Sequence, residues 1–204
     1  MTTEYAAQPL SSSQFPEAAA LLARAFQTDP VIASILPRIP PEQRAHKLAV
    51  MFEEMLALNA RWNKPLGIVD GAAVRAAAIL HRPGTHPLPL GTEVGLLCRA
   101  VRKIGPRGLG RFVRWSLRIG RHHPATPHYY LETLGVEPAR QGRGLGSAML
   151  RKIAAVLDAD NSECVLETAN DRNVVLYRRF GFEVVSEELI LGAQVRFMRR
   201  GAAK

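Results

Sequence analysis

Residues 139–150, ARQGRGLGSAML, place Gly142, Gly144 and Gly146 within five positions, beside Arg140 and Arg143 and just ahead of an apolar, helix-like run. Glycine is costly to order, so its use here asks for a reason. Without a Cβ, successive backbone N–H groups can turn toward one point. The first N–H groups of a helix have no partner inside it, and the helix dipole adds partial positive charge there. Together these make an anion site built from backbone, and a diphosphate is its natural guest. The spacing excludes two familiar diphosphate loops. No lysine stands where GxxxxGK[ST] requires one, and GxGxxG fails because Ser147 occupies the third glycine position.

A second candidate for chemistry is Glu132, in HYYLETLGV (128–136). Strand alternation places His128, Tyr130, Glu132 and Leu134 on one face. A carboxylate in mid-strand is costly unless paired or used. It can serve as a general base, pair with one of the many arginines, or hold a cationic substrate. Glu167, in CVLET, is the alternative base or a structural carboxylate bonded to a backbone turn. His122, His123 and His128 gather around a proline turn with no cysteine or carboxylate close in sequence, which does not match the ligand sets metals prefer. No metal is expected. His128 reads as lining a cleft or capping a strand edge.

These residues need elements to hold them. Serines 11–13 and Pro16 start a helix that runs to about Phe26, where QTDP breaks it. Pro40 and Pro41 open a second helix, with Leu48, Met51, Phe52, Met55 and Leu56 at helical spacing up to Trp62. Asp70-Gly71 lies between apolar runs and predicts a hairpin with strands at about 65–69 and 73–81. Residues 94–120 predict one or two basic amphipathic helices. Gly105 to Arg111, GPRGLGR, repeats Gly-x-Gly. It follows a helix-like segment and lacks a leading Gln or Arg, so it reads as a loop between helices. HYYLETLGV is the clearest strand. After the glycine loop come a helix with Leu145, Met149, Ile153 and Leu157 on one face, the strand CVLET, a short helix from about Asn173 to Phe180 capped by Asn170 or Asp171, and a closing antiparallel pair.

The pattern Gln141-x-x-Gly144-x-Gly146 resembles the coenzyme A pyrophosphate loop of the GNAT N-acetyltransferase superfamily, Gln/Arg-x-x-Gly-x-Gly/Ala. LGVEPARQGRGLGSAML and ETANDRNVVLYRRFGFEVV resemble that family's strand–loop–helix and its following strand, turn and tyrosine helix, in the right order and at the right distance. The resemblance is specific over His128 to Val185, is closest to the branch that includes puromycin N-acetyltransferase, and weakens toward the N-terminus. It implies an α/β mixed sheet with a splayed central strand pair. It implies that Leu134, Gly135 and Val136 pair with the pantetheine arm and polarise the acetyl carbonyl, and that Arg140, Gln141, Gly142, Arg143, Gly144, Leu145, Gly146 and Ser147 hold the diphosphate. It implies that Asn170 and Asn173 contact the cofactor arm and that Tyr177 protonates the departing sulfur. Glu132 is then the candidate base.

Composition bounds the rest. The chain has 204 residues, 47% hydrophobic and 22% charged, which suits one domain over 1–204. A helical insertion at about 91–123 and an acetyl-CoA-binding core at 128–200 are expected within it. No stretch is long and apolar enough to cross a bilayer. The N-terminus lacks a secretory pattern, and Cys98 and Cys164 read as buried thiols, so a cytoplasmic protein is expected. The formal charge is +9. From Val94 to Leu131 there are eight arginines and lysines and no carboxylate. Arg111, Arg114, Arg118 and Arg121 make a stripe on one helix face, with Leu109, Phe112, Val113, Leu117 and Ile119 as apolar area and Trp115 among the arginines. This reads as a solvated face, a wall of an acceptor pocket, or an anionic contact; no nucleic-acid-binding signature accompanies it. The expectation is direct transfer of acetyl from acetyl-CoA to a primary amine of a small molecule, by a monomer or homodimer. A protein N-acetyltransferase, acting on lysine or a terminal amine, and a non-catalytic acyl-CoA sensor are the alternatives.

Overall fold

In chain order the elements are β1 (Ala7–Pro9), α1 (Phe15–Phe26), α2 (Pro30–Ile35), α3 (Pro41–Asn59), β2 (Leu66–Asp70), β3 (Ala73–His81), α4 (Leu90–Gly120), β4 (Tyr129–Val136), α5 (Leu145–Ala159), β5 (Cys164–Thr168), α6 (Asp171–Arg178), β6 (Glu183–Ile190) and β7 (Ala193–Arg200). The computed structural model describes residues 5–86 and 90–202, and only the backbone of 90–104. Cys98 therefore lies outside the described side chains; Cys164 is buried, and burial pushes its thiol up to about 12.

The strands form one seven-stranded sheet in the order β1-β2-β3-β4-β5-β7-β6. All neighbours are antiparallel except β4 and β5. That parallel pair is joined only at Tyr129↔Cys164 and Tyr130↔Val165. Beyond Tyr130, β4 keeps its partner β3 through Val136 and parts from β5. The sheet is thus split at its centre, as the resemblance implied.

Helices cover both faces. The apolar stripe of α5 (Leu145, Met149, Ile153, Leu157) packs on Ala78, Leu80, Tyr129 and Leu131. On the other face, α1 and α3 bury Leu21, Leu22, Leu48, Phe52 and Leu56 against Ala77 and Ile79. The second half of α4 packs beside α2 and β7, where Ile35, Trp115, Ile119, Val195 and Phe197 form a third cluster.

Four expectations need adjustment. β1 and α2 were not anticipated; α2 is a six-residue helix whose first N–H groups are capped by Asp29, which accepts from Val31 at 2.8 Å and Ile32 at 3.3 Å. The supposed loop at GPRGLGR is a kink: only Gly105 leaves helical geometry (φ 74°), and Pro106 restarts the helix, a position that needs no N–H bond. Trp115 is buried and Leu117 is 65% exposed, so the apolar face is narrower than the arginine spacing suggested. Part of the arginine stripe is fastening. Arg111 Nε donates to Ser34 O at 2.6 Å, Arg118 pairs with Glu188, and His122 Nε2 bonds the same carboxylate at 2.9 Å.

Candidate active site

The glycine loop sits where β4 ends. A 3-10 turn at Pro138–Arg140 leads into it, and Gly144 is the N-cap of α5 with φ 84°. Gly142 is likewise at φ 77°. Both conformations are left-handed and suit glycine. A Cβ at either would meet nothing within 4 Å, so the loop faces open space. The first N–H answered inside the helix is that of Ala148, by Gly144 O at 2.9 Å, which leaves the turn before it to other acceptors. The loop therefore fits an anion as its sequence requires. The Gln141 side chain donates to Val136 O at 3.3 Å and braces the loop against β4. Gly135 and Gly146 are packing glycines. A Cβ at Gly135 would come within 2.7 Å of Leu22, and one at Gly146 within 3.3 Å of Leu176.

β4 carries an irregularity that alternation could not reveal. Its register with β3 runs Ile79↔Thr133 and then Leu80↔Leu131, so Glu132 is an extra residue, a β-bulge. Leu131 and Leu134 both pack toward the α5 side. Leu134 is consequently not on the Tyr130–Glu132 face; the bulge resets the phase of the strand. It also turns Glu132 toward His81 on β3.

The resulting constellation was only partly foreseen. His81 Nε2 donates to Glu132 Oε2 at 2.8 Å. His81 is buried at 2% exposure and stacks on Tyr130, with centroids 5.7 Å apart. Asn59 Nδ2 lies 3.4 Å from His81 Nδ1. Tyr130 Oη donates to Glu167 Oε1 at 2.7 Å. His86 and His123 close around the same tyrosine, at 4.7 Å and 4.6 Å between centroids, and His123 Nδ1 reaches His128 Nε2 at 3.1 Å.

The two carboxylates are driven apart. Burial works to raise Glu132, but the hydrogen bond and charge interaction with His81 outweigh it and hold the carboxyl below its ordinary range. Burial pushes Glu167 up to about 8, and the nearby Glu132 charge adds to this. Burial also lowers His86 and His123 to about 4, so both rings are neutral at neutral pH. Tyr177 is raised by burial and then by the charges of Glu167 and Asp29, so its phenol keeps its proton.

A cavity of about 1180 Å3 joins these groups. Leu134, Asn173 and Tyr177 line it beside the strand opening, Glu132, Glu167 and His128 lie along it, and side chains of α2, α3 and α4 form the remaining wall. Asn173 Nδ2 is 3.4 Å from Thr168 Oγ1. Asn170 is not among the lining residues; its side chain caps α6 by accepting from Arg172 N at 3.0 Å. Residues 140–147 do not line the cavity either: Gln141 to Gly144 are exposed, while the Leu145 side chain is buried in the core, which leaves only its backbone to a ligand. Sequence reasoning missed Asn59, His81 and His86. His81 ends the apolar strand RAAAILH, a signal in retrospect that a polar group is being delivered to a site. Among the described residues, no group of three or more metal-ligating side chains is placed to hold a metal ion.

A strand pair parted beside a glycine-capped helix, with two carboxylates in the cleft, is the arrangement that the sequence resemblance implied. Residues 109–184 match the model of the acetyltransferase (GNAT) domain. The chain is 34% identical over 103 residues to N-alpha-acetyltransferase RimI from Mycobacterium tuberculosis, an alignment covering 48% of this chain and 64% of that protein. The fold is similar to that of the histone acetyltransferase HPA2 and related acetyltransferase from Corynebacterium glutamicum (TM-score 0.76, 23% identity, covering 99% of this chain and 98% of that one). It is also similar to that of arylalkylamine N-acetyltransferase 2 from Aedes aegypti (TM-score 0.69, 11% identity, covering 98% and 99%). Residues 109–184 are thus similar to a GNAT acetyltransferase domain, and the mixed α/β fold is the one these structures share.

Proposed function

We propose that the protein is an acetyl-CoA-dependent N-acetyltransferase of one domain that moves acetyl directly to the primary amine of a small molecule. The observation that carries this reading is the parting of β4 from β5 after Tyr130, next to the open glycine loop and continuous with the cavity. In this reading the N–H groups of residues 142–147 hold the diphosphate, with Arg140 and Arg143 adding charge. The unpaired edge of β4 at Leu134 to Val136 pairs with the pantetheine arm, and an N–H there stabilises the carbonyl oxygen. Asn173 lies along that arm. Asn170 serves it indirectly, by capping α6.

The amine nitrogen attacks the thioester carbonyl carbon, the C–N bond forms, and the C–S bond breaks. In this reading the ammonium first gives a proton to Glu132, which His81 holds through its 2.8 Å hydrogen bond, and the nitrogen sheds its second proton to solvent as the amide forms. The departing thiolate takes a proton from Tyr177, whose raised pKa keeps that proton available until the sulfur needs it. Glu167 is the second candidate base, because a group near 8 is better matched to proton transfer at neutral pH than a depressed carboxyl. Replacing each by Gln separates them: the variant that lacks the true base loses kcat and the acid limb of the pH profile.

A second reading, a protein N-terminal acetyltransferase, draws on the similarity to RimI. The cavity closed in by side chains of α2, α3 and α4 favours a small molecule instead. The deciding experiment follows free thiol from acetyl-CoA with a panel of small amines and a panel of short peptides. Turnover with small amines is expected. Turnover with peptides alone would move the assignment to the second reading, and acetyl-CoA binding with no acceptor turned over would leave an acyl-CoA sensor.

A further inference from the structure

The lining of the cavity differs from the rest of the chain in charge. The sequence holds 27 lysines and arginines, yet none is among the described residues that line the cavity. Among those residues four carboxylates do line it: Asp29, Glu54, Glu132 and Glu167. Such a wall favours a cation and disfavours an anion. The carboxylates are not equivalent. Asp29 is committed to the two N–H groups that start α2. Glu167 accepts from Tyr130, and Glu54 has a partner of its own. Glu132 is 27% exposed at its side chain, ionised, and tied only on one side, by His81. One ammonium at Glu132 is therefore well matched.

Away from Glu132 the wall between α2, α3 and α4 is largely apolar, and its carboxylates Asp29 and Glu54 already have partners. Ile32 and Ile35 of α2, Met51 and Met55 of α3, and Phe112 and Trp115 of α4 face the cavity. Charge placed among them would be desolvated without a partner, at considerable cost. A peptide chain would bring N–H and C=O groups that these side chains cannot answer. Around the amine end, Tyr130 and the rings of His86 and His123 offer aromatic faces that do not repel a cation.

We propose that the acceptor is a primary monoamine with a bulky apolar or aromatic body, its ammonium at Glu132 and its body between α2, α3 and the second half of α4. This rests on the acetyl-transfer reading for the purpose of the site, but affinity can be measured without turnover. The body contacts α3 through Met51 and Met55 and α4 through Phe112 and Trp115, so these positions set specificity.

The test is calorimetry on the whole protein with coenzyme A present, using hexylamine, phenethylamine, 1,6-diaminohexane and an alanine-initiated tetrapeptide. The monoamines are expected to bind at least about tenfold more tightly than the diamine of equal length and than the peptide. Equal or tighter binding of the diamine would make Glu54 a second anchor and overturn the proposal, as would preference for the peptide. Met51→Glu, which adds a carboxylate to the wall, is expected to move the diamine-to-hexylamine ratio at least about tenfold toward the diamine. An unmoved ratio in a variant that melts like the parent would overturn the placement of the body. If that variant does not fold, Phe112→Ala takes its place: phenethylamine should weaken several-fold with coenzyme A affinity unchanged, and unchanged phenethylamine affinity would count against the proposal. Absent thiol release with every acceptor would count against acetyl transfer alone, while a lost monoamine preference would count against this assignment alone.

Discussion

Gly144→Ala separates what the glycine loop costs from what it does. Gly144 stands at φ 84°, and a methyl there would meet nothing within 4 Å. The stability cost is then conformational only, about 1–2 kcal/mol for a non-glycine residue in the left-handed region. For a chain of this size that is a fall in Tm of roughly 2–8 °C. If the chain instead relaxes out of that geometry, the first N–H groups of α5 no longer converge. Losing one charge-assisted hydrogen bond to a diphosphate costs about 1.5–3 kcal/mol, or roughly 10- to 150-fold in affinity. Gly192→Ala is the matched control. It lies at φ 91° in the β6–β7 turn, also with nothing within 4 Å, and β5 separates that hairpin from β4 in the sheet order. Thermal melts and coenzyme A calorimetry on both variants give the answer. Both should melt lower by similar amounts, and only Gly144→Ala should bind coenzyme A more weakly. Two variants that melt alike and both bind like the parent would refute the reasoning.

Tyr177→Phe should lower kcat by about 10²- to 10⁴-fold, the range for a lost general acid, with little change in acetyl-CoA affinity; steady-state kinetics with unaltered kcat would remove Tyr177 from the mechanism. Stability should peak between acid and base. His86 and His123 are held near 4 against an ordinary 6.5, so the unfolded chain binds more protons between those values and stability falls as pH drops through that window. Glu167, raised to about 8 from 4.5, acts oppositely, and stability falls as pH rises from 4.5 through 8. Urea melts from pH 4.5 to 8.5 should show both limbs, and replacing His86 and His123 together by Gln should flatten the acid one; an unchanged acid limb would show that these rings are not its source.

The elements that carry the fold were legible where local chemistry is strong. The Asp70-Gly71 hairpin, the strand 129–136, the glycine-capped helix and the Asn170-capped α6 all announce themselves through turn residues, caps or alternation. What stayed hidden depends on partners distant in sequence. β1 is three residues long and exists by pairing with β2. α2 is six residues long, too short for a periodic signal, and is held by the Asp29 cap and by packing against α4. The bulge at Glu132 belongs to the register between two strands, so alternation within β4 alone put Leu134 on the wrong face. His81 reaches Glu132 from across 51 residues, and Asn59 reaches His81 from 22 residues before it. The glutamate was thus readable as a candidate from one strand, while the imidazole that orients it required the sheet.

A crystal structure with coenzyme A tests the central claim most directly. The account predicts diphosphate oxygens within hydrogen-bond distance of the N–H groups of residues 142–147 and the thiol arm lying between β4 and β5, with sulfur within reach of the Tyr177 hydroxyl. Ligand density elsewhere, with the β4–β5 opening filled by protein, would contradict it.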